Sequence, residues 1–301
     1  MPDKQNICGG EALPVRRIAA VHDLSCFGRC ALTVILPTLS VMGYQVVPIP
    51  TAFLSTHTGG FTDLHFRDLT TDMEATSEHF ERLGVRFRAI YTGFLGSAEQ
   101  IRTVSEIIER FGDRPDESGA RPLILVDPVM GDDGVLYSTY THELMLGMRE
   151  LCRHAQLLTP NLTEACFLTD TPYRDTLTMS PSEAIAFATA LLERLTAVTD
   201  GRIVITGVSL SDGTLANVGL DENKKIFTVI RPHEVQHYPG TGDLFASVLL
   251  GRLLDGDPFP AAVSAAAEFT GTVMHESALI DTPARDGVAL EYHLGKLAKQ
   301  K

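Results

Sequence analysis

Residues 239–254 read PGTGDLFASVLLGRLL, a glycine-rich turn that runs directly into an apolar helical stretch. The two glycines, Gly240 and Gly242, allow the backbone to turn sharply and to bring bare amide groups close to a ligand. A helix that begins here directs its partial positive charge at the same point. The stretch therefore predicts an anion site at a helix start, with Asp243 at its mouth.

A phosphoryl group in transit would fit such a site. The amides of Gly240, Thr241 and Gly242 would stabilise its developing charge as an oxyanion hole does. Asp243 would then take a proton from an attacking hydroxyl. The simpler interpretation is that Thr241 or Asp243 merely caps the helix.

Outward from this turn, short apolar segments alternate with helical patterns along the chain. This alternation predicts a parallel sheet with crossover helices. Each segment is apolar enough to be buried on both faces of the sheet. The predicted strands cover residues 17–22, 45–50, 89–92, 123–127, 157–159 and 202–206.

Two further patterns extend this fold. Residues 180–183 (SPSE) form a capping-box sequence with proline at the first helical position, so a helix is predicted to run to Leu195. Residues 213–219 and 225–232 have the pattern of two strands joined by a polar turn at 221–223. They predict a hairpin at the far end of the sheet.

The polar stretch at 112–122 separates a helical pattern from a strand, and we interpret it as a surface loop rather than a domain boundary. We therefore predict one domain, residues 17–301. A flexible N-terminal tail, residues 1–16, is expected to precede it.

The composition limits the classes of function. Of 301 residues, 44% are hydrophobic and 21% are charged, which excludes a disordered or fibrous chain. The 25 lysines and arginines against 38 aspartates and glutamates give a net charge of −13, so nucleic acid would be repelled. No apolar run approaches the ~20 residues that span a bilayer, and residues 1–14 lack the apolar stretch of a signal peptide. We expect a cytoplasmic protein that binds neither nucleic acid nor membrane.

Acidic and amide side chains follow two of the predicted strands. Residues 127–132 (DPVMGD) follow one buried strand, so their two aspartates should emerge at its carboxyl end, where open α/β sheets bind ligands. Residues 159–164 (TPNLTE) follow the next strand and place Asn161 and Glu164 along the same edge. Such oxygen ligands hold Mg²⁺ partly through water, as a nucleotide kinase requires. A capping carboxylate paired with Asn161 or Thr163 is the alternative for Glu164, and the two roles are compatible.

Together these motifs resemble the ribokinase-like superfamily, in which GTGD supplies an anion hole and the catalytic aspartate, and NxxE organises magnesium. The pyridoxal kinase branch is more similar still, because its DPVxGD, TPNxxE and SNHTG sequences resemble residues 127–132, 159–164 and 55–59 (STHTG). The similarity runs in the right order from about Arg17 to the helix after Asp243. It implies a three-layer α/β/α sandwich with a mostly parallel central sheet, and a homodimer.

The resemblance also implies an activity, the ATP-dependent phosphorylation of the 5′-hydroxymethyl group of pyridoxal, pyridoxamine or pyridoxine. Asp243 would be the general base, and Gly240, Thr241 and Gly242 would hold the transferring phosphoryl group. The nucleotide end would use Asp132 and Glu164 to organise Mg²⁺, Asp127 and Thr159 near the phosphates or a monovalent cation (K⁺ or Na⁺), and Tyr137, Asn161 and Thr206 as further ATP contacts.

The substrate end departs from the family pattern. Pyridoxal kinases commonly have QSHV where residues 22–25 here are HDLS, so Asp23 replaces a serine that contacts the pyridine ring. A carboxylate would favour a protonated ring nitrogen or an amine, so pyridoxamine or an aminopyrimidine should react at least as well as pyridoxal. His57 and Thr58 resemble the substrate-side lid, and Phe94 resembles an aromatic residue that stacks on the ring.

Three alternatives stay open. A hydroxymethylpyrimidine kinase shares the GTGD chemistry; residues 55–59 favour the vitamin B6 branch, whereas Asp23 favours the pyrimidine branch. A sugar kinase is less favoured, because polar lid strands are not evident near the N-terminus. From another class, the chain could be a nucleotide-binding module without catalysis, acting as a ligand sensor or in B6 trafficking.

Overall fold

The computed structural model describes residues 15–137, 140–234 and 236–299. Of the predicted flexible tail, residues 1–14 lie outside these ranges. The strands are β1 (Arg17–Phe27), β2 (Gln45–Thr56), β3 (Phe66–Asp68), β4 (Ala89–Thr92), β5 (Leu123–Val126), β6 (Gly131–Asp132), β7 (Val135–Leu136), β8 (Leu157–Leu158), β9 (Arg202–Ser209), β10 (Thr214–Leu220) and β11 (Ile226–Pro232).

Within the described residues, nine of these strands form one sheet in the order β11-β10-β9-β8-β5-β4-β1-β2-β3. The six strands from β9 to β2 are parallel to their neighbours. The outer strands β3, β10 and β11 pair in the antiparallel sense. β6 and β7 form a separate small hairpin. The prediction of a mostly parallel sheet is confirmed.

Helices cover both faces of the sheet. They are α1 (Leu32–Val41), α2 (Thr70–Arg82), α3 (Ala98–Phe111), α4 (His142–Leu151), α5 (Leu162–Leu168), α6 (Pro181–Leu195), α7 (Thr241–Leu254) and α8 (Phe259–Leu279). One apolar core joins one face to helices α2–α6, and a second core joins the other face to α1, α7 and α8. The three-layer α/β/α architecture is therefore confirmed.

The predicted local elements are present, with longer strands at one end. The capping box forms at the start of α6, and β10 and β11 make the expected hairpin at the sheet edge. However, β1 continues past His22 to Phe27, and β2 continues past Pro50 to Thr56. These extensions pair with each other and project beyond the end of β4.

After α8, the C-terminal segment (residues 281–299) returns to the loop that follows β1. The Asp286 carbonyl accepts a 3.0 Å hydrogen bond from the Arg29 amide, and the Arg29 guanidinium donates to Glu291 at 2.8 Å. Gly287 has a φ of +74°, and a Cβ there would lie 2.7 Å from the Arg29 carbonyl oxygen. The C-terminal segment is thus fitted closely against the start of the chain.

None of the helices in the described ranges has the length and apolar character needed to cross a bilayer.

Candidate active site

The start of α7 and the carboxyl ends of the parallel strands lie at the same edge of the sheet. Gly240 has a φ of +80°, and a Cβ at this position would lie 2.1 Å from the Arg29 carbonyl oxygen. This turn therefore requires glycine both for its conformation and for its close approach to the loop after β1. Thr241 and Gly242 follow within the first turn of the helix.

Asp243 faces this loop rather than capping its helix. Its Oδ2 accepts a 2.7 Å hydrogen bond from the Ala31 backbone amide. The Thr241 hydroxyl donates to the Tyr238 carbonyl at 3.1 Å, and no side chain caps the start of α7. The simpler interpretation of Thr241 or Asp243 as a helix cap is therefore not supported by the geometry.

The environment of Asp243 suits a proton acceptor. Its side chain is 16% exposed. Burial raises the pKa of this carboxyl to about 7; the Ala31 amide opposes the rise, and the charge of Asp23 adds to it. A carboxylate with this pKa can accept a proton near neutral pH and release it again.

A row of acids continues from Asp243 along the sheet edge. Asp127, buried just after β5, has a pKa well above its usual range because of burial and the nearby charge of Asp243. Burial likewise raises the pKa of Glu164, and the charge of Asp127 adds to this rise. Each carboxylate is thus close enough for its charge to raise the pKa of the next one in the row.

Glu164 is also part of a capping box. Its carboxylate accepts hydrogen bonds from the Asn161 amide at 2.8 Å and the Met130 amide at 3.1 Å. The Asn161 side chain accepts from the Glu164 amide and donates to the Gly131 carbonyl, both at 2.8 Å. The capping alternative is therefore present in the structure, and it leaves lone pairs on both carboxylate oxygens.

Asp132 and Tyr137 lie on or beside the β6–β7 hairpin, facing these acids. The side chain of Asp132 is 43% exposed, and its Oδ2 is 3.8 Å from Nε2 of His237. The pKa of Tyr137 is raised by burial and by the charges of Glu164 and Asp132. Within the residues described, no three His, Cys, Asp or Glu side chains converge to chelate a metal unaided.

Of the two threonines predicted at the nucleotide end, Thr206 lies on β9 and Thr159 directly follows the neighbouring strand β8. The Thr206 hydroxyl is 3.5 Å from the Pro160 carbonyl oxygen, and its backbone bridges to that of Asn161. Thr159 is buried just after β8, and its hydroxyl has no hydrogen-bond partner among the described residues. The Thr92 hydroxyl, buried at the end of β4, is likewise unpartnered in this part of the chain.

Asp23, predicted at the substrate end, lies close enough to Asp243 for its charge to raise the pKa of that carboxyl. It is buried, and its Oδ2 accepts a 2.8 Å hydrogen bond from the Ser25 hydroxyl. Burial raises its pKa, and the Ser25 hydroxyl opposes the rise. A cationic nitrogen beside this carboxylate would offset the cost of burying its charge.

His57 is held by backbone groups on both sides of its ring. Nδ1 accepts a 3.0 Å hydrogen bond from the Gly59 amide, so Nε2 is the donor to the Arg285 carbonyl at 2.6 Å. Thr58 is exposed, and Phe94 is half-buried, with its carbonyl accepting a 3.2 Å hydrogen bond from the Thr51 hydroxyl of β2. Both ring nitrogens of His57 are thus hydrogen-bonded to backbone groups of the protein.

His22 and the Ala31 amide both face Asp243, and neither is among the site residues that the sequence motifs predict. A backbone amide has no side-chain signal, so the role of Ala31 depends on the fold alone. His22 occupies the first position of the segment that departs from the pyridoxal kinase pattern, and that departure was the available signal.

Known proteins share this sequence and fold. Residues 36–284 match the family model described as phosphomethylpyrimidine kinase. The chain is 30% identical over 285 residues to the pyridoxine/pyridoxal/pyridoxamine kinase of Bordetella avium, which covers 89% of this chain and 90% of that protein.

Two solved structures are similar over nearly the whole chain. A phosphomethylpyrimidine kinase-like protein from Bacteroides thetaiotaomicron, crystallised with pyridoxal, is 38% identical with a TM-score of 0.83, covering 95% of this chain and 97% of that one. Pyridoxal kinase from Lactobacillus plantarum is 29% identical with the same TM-score and coverage. The predicted resemblance is confirmed: the chain belongs to the phosphomethylpyrimidine kinase family, in the pyridoxal kinase branch of the ribokinase-like superfamily.

Proposed function

We propose that this protein transfers the γ-phosphoryl group of ATP to the 5′-hydroxymethyl group of a vitamin B6 vitamer. The observation that carries the proposal is the Asp243 carboxylate at a glycine-formed helix start, held by the Ala31 amide and bordered by the acidic row. The relative from Bordetella avium is named for all three vitamers, which supports the choice of substrate.

In the reaction, the acceptor hydroxyl gives its proton to Asp243 as its oxygen attacks the γ-phosphorus. The bond between that phosphorus and the bridging oxygen of ADP breaks, and ADP leaves with the electron pair. The amides at Gly240, Thr241 and Gly242 would stabilise the charge on the phosphoryl oxygens as they transfer. Asp243 then releases its proton to solvent, which its pKa of about 7 permits.

The side chains at the proposed nucleotide end are suited to bind cations that would lie between the protein and the ATP phosphates. We assign Mg²⁺ to Asp132 and Glu164, since a site with one or two carboxylates relies on substrate phosphates and water for its other ligands. When bound, Mg²⁺ would screen the phosphate charges. The unpartnered Thr159 hydroxyl beside buried Asp127 suits a monovalent cation or a phosphate. Tyr137, Asn161 and Thr206 would complete the ATP contacts.

We expect Mg²⁺ to raise the melting temperature more at about pH 8 than at about pH 5. Asp127, Glu164 and Asp132 have pKa values raised above those of the unfolded chain, so the folded protein binds more protons and loses stability as pH rises above about 4. Mg²⁺ would offset this loss where the carboxylates are charged. Asp132→Asn should reduce the effect, whereas Asp133→Asn, an exposed neighbour, should not. Equal shifts at both pH values would contradict the assignment.

One observation supports the alternative that the substrate is a hydroxymethylpyrimidine. Asp23 is a buried carboxylate at the acceptor end, and it would pair with the amine of an aminopyrimidine as well as with that of pyridoxamine. The family description also covers phosphomethylpyrimidine kinases. Both readings keep the same base and the same anion site.

An ADP-release assay with pyridoxal, pyridoxamine, pyridoxine and hydroxymethylpyrimidine tests the function. We expect turnover of the vitamers, with kcat/KM for pyridoxamine at least equal to that for pyridoxal. Asp23→Ser should lower kcat/KM for pyridoxamine about 10- to 150-fold relative to pyridoxal, because a hydrogen bond to a charged group is worth about 1.5–3 kcal/mol. A strong wild-type preference for pyridoxal would refute the role of Asp23. A preference for the pyrimidine would favour the alternative, and ligand binding without ADP release would favour the non-catalytic module.

We also predict a homodimer, one continuous domain over residues 17–301, and a cytoplasmic location. Sedimentation equilibrium, limited proteolysis and cell fractionation test these three predictions.

A further inference from the structure

His22 is a buried neighbour of the Asp243 carboxylate. Its side chain is 1% exposed, and its Nδ1 is 3.9 Å from Oδ1 of Asp243. The pairing of β1 with β2 changes register between His22 and Leu24, just where the ring enters the site.

The surroundings of His22 are shaped to hold an imidazole. The ring of Tyr91 meets it edge to face, with 4.3 Å between ring centroids. At Gly93 a Cβ would lie 2.2 Å from Cε1 of His22, so any larger residue there would displace the ring. The histidine is thus fixed by residues of β4 and of the loop that follows it.

Geometry and burial indicate which nitrogen carries the proton. Among the residues that the structure describes, Nε2 of His22 has no hydrogen-bond partner, whereas Nδ1 faces a carboxylate. A proton on Nε2 would be buried without an acceptor, which is the costlier arrangement. Burial also lowers the pKa of His22 to about 3, so the ring stays neutral and cannot take the proton that Asp243 accepts.

We propose that His22 is a positioning residue for Asp243, with its Nδ1–H directed at Oδ1 while the Ala31 amide holds Oδ2. Two donors on different oxygens fix the plane of the carboxylate, so that it meets the acceptor hydroxyl in one orientation. The separation of 3.9 Å exceeds a hydrogen bond. Such contacts are often long without substrate and shorten in the reactive complex. The inference rests on the proposed kinase activity, but the contact itself does not.

Two variants separate this role from simple packing. His22→Leu removes the donor, and we expect kcat to fall about 10- to 100-fold with KM values changed less than about twofold, because misorientation of a catalytic group has costs of this size. His22→Asn keeps an N–H near the position of Nδ1 and should restore most of kcat. A wild-type rate in His22→Leu, or equal losses in both variants, would overturn the proposal.

Nitrogen NMR of histidine-labelled wild-type protein provides a test that needs neither activity nor a folded variant. We expect His22 to be the neutral tautomer protonated on Nδ1, and its signal to move when Mg²⁺ and an ATP analogue order the site. The Nε2-protonated tautomer would overturn the proposal. If the wild type phosphorylates no vitamer, the proposed function fails, whereas the tautomer still reports on the contact with Asp243.

Discussion

Asp243→Asn is expected to lower kcat about 10²- to 10⁴-fold while ATP binding persists, because a positioned base contributes a factor of this size. The asparagine oxygen can still accept the Ala31 amide, so the local structure should survive. Steady-state ADP release gives kcat, and calorimetric titration with ATP and Mg²⁺ gives binding. Asp113→Asn makes the same chemical change at an 86% exposed side chain and should leave both values unchanged.

The same substitution should stabilise the protein at alkaline pH. The folded pKa of Asp243, about 7, lies above its ordinary value of 3.8, so the charged carboxylate costs stability that grows between these two pH values. Above about pH 7 the variant should therefore melt at a higher temperature than the wild type, and below about pH 4 the difference should vanish.

For the activity prediction, an unchanged kcat in Asp243→Asn would refute the assignment of Asp243 as the base.

Gly240→Ala is expected to lower kcat at least about 10²-fold and also to destabilise the fold. Alanine at a φ of +80° costs roughly 1–2 kcal/mol, and its Cβ would lie 2.1 Å from the Arg29 carbonyl oxygen. Relief of this clash must move the helix start or the loop after β1. A shift of about 1 Å would misplace both the anion-binding amides and Asp243.

The matched control is Gly242→Ala in the same motif. A Cβ at Gly242 meets no atom within 4 Å, so the melting temperature should stay close to that of the wild type. Thermal melts of both variants, together with ADP release by Gly240→Ala, provide the measurement. A Gly240→Ala protein that melts and turns over like the wild type would show that this turn is not required for the anion site.

The sequence was sufficient to predict the centre of the sheet, because its parallel strands are apolar on both faces. Prediction failed where strands leave that environment. Beyond His22 and Pro50, the extensions of β1 and β2 pair with each other and mix buried with exposed residues, so neither a continuous apolar run nor regular alternation is present. β3 has three exposed residues and forms through pairing with β2.

In the candidate site as well, the sequence motifs predict some features, whereas others depend on tertiary packing. Motifs predicted Asp243, Asp127 and Glu164 at one edge, because the carboxyl ends of parallel strands converge there. They could not show that the Glu164 carboxylate also accepts from the Met130 amide, or that both ring nitrogens of His57 bind backbone groups. The contacts of Glu164 with Met130 and of His57 with Arg285 join segments far apart in the chain, so they follow from tertiary packing. The same holds for His22, whose place depends on Gly93.

The contacts of the C-terminal segment set an order of events during synthesis. Arg29 and His57 belong to the earliest part of the chain, yet their partners are the backbone carbonyls of Arg285 and Asp286. Early strands can pair while translation continues. The backbone carbonyls that hold Arg29 and His57 are not available until residues 285–287 have left the ribosome, so a nascent chain stopped before them would lack the final shape of the proposed acceptor end.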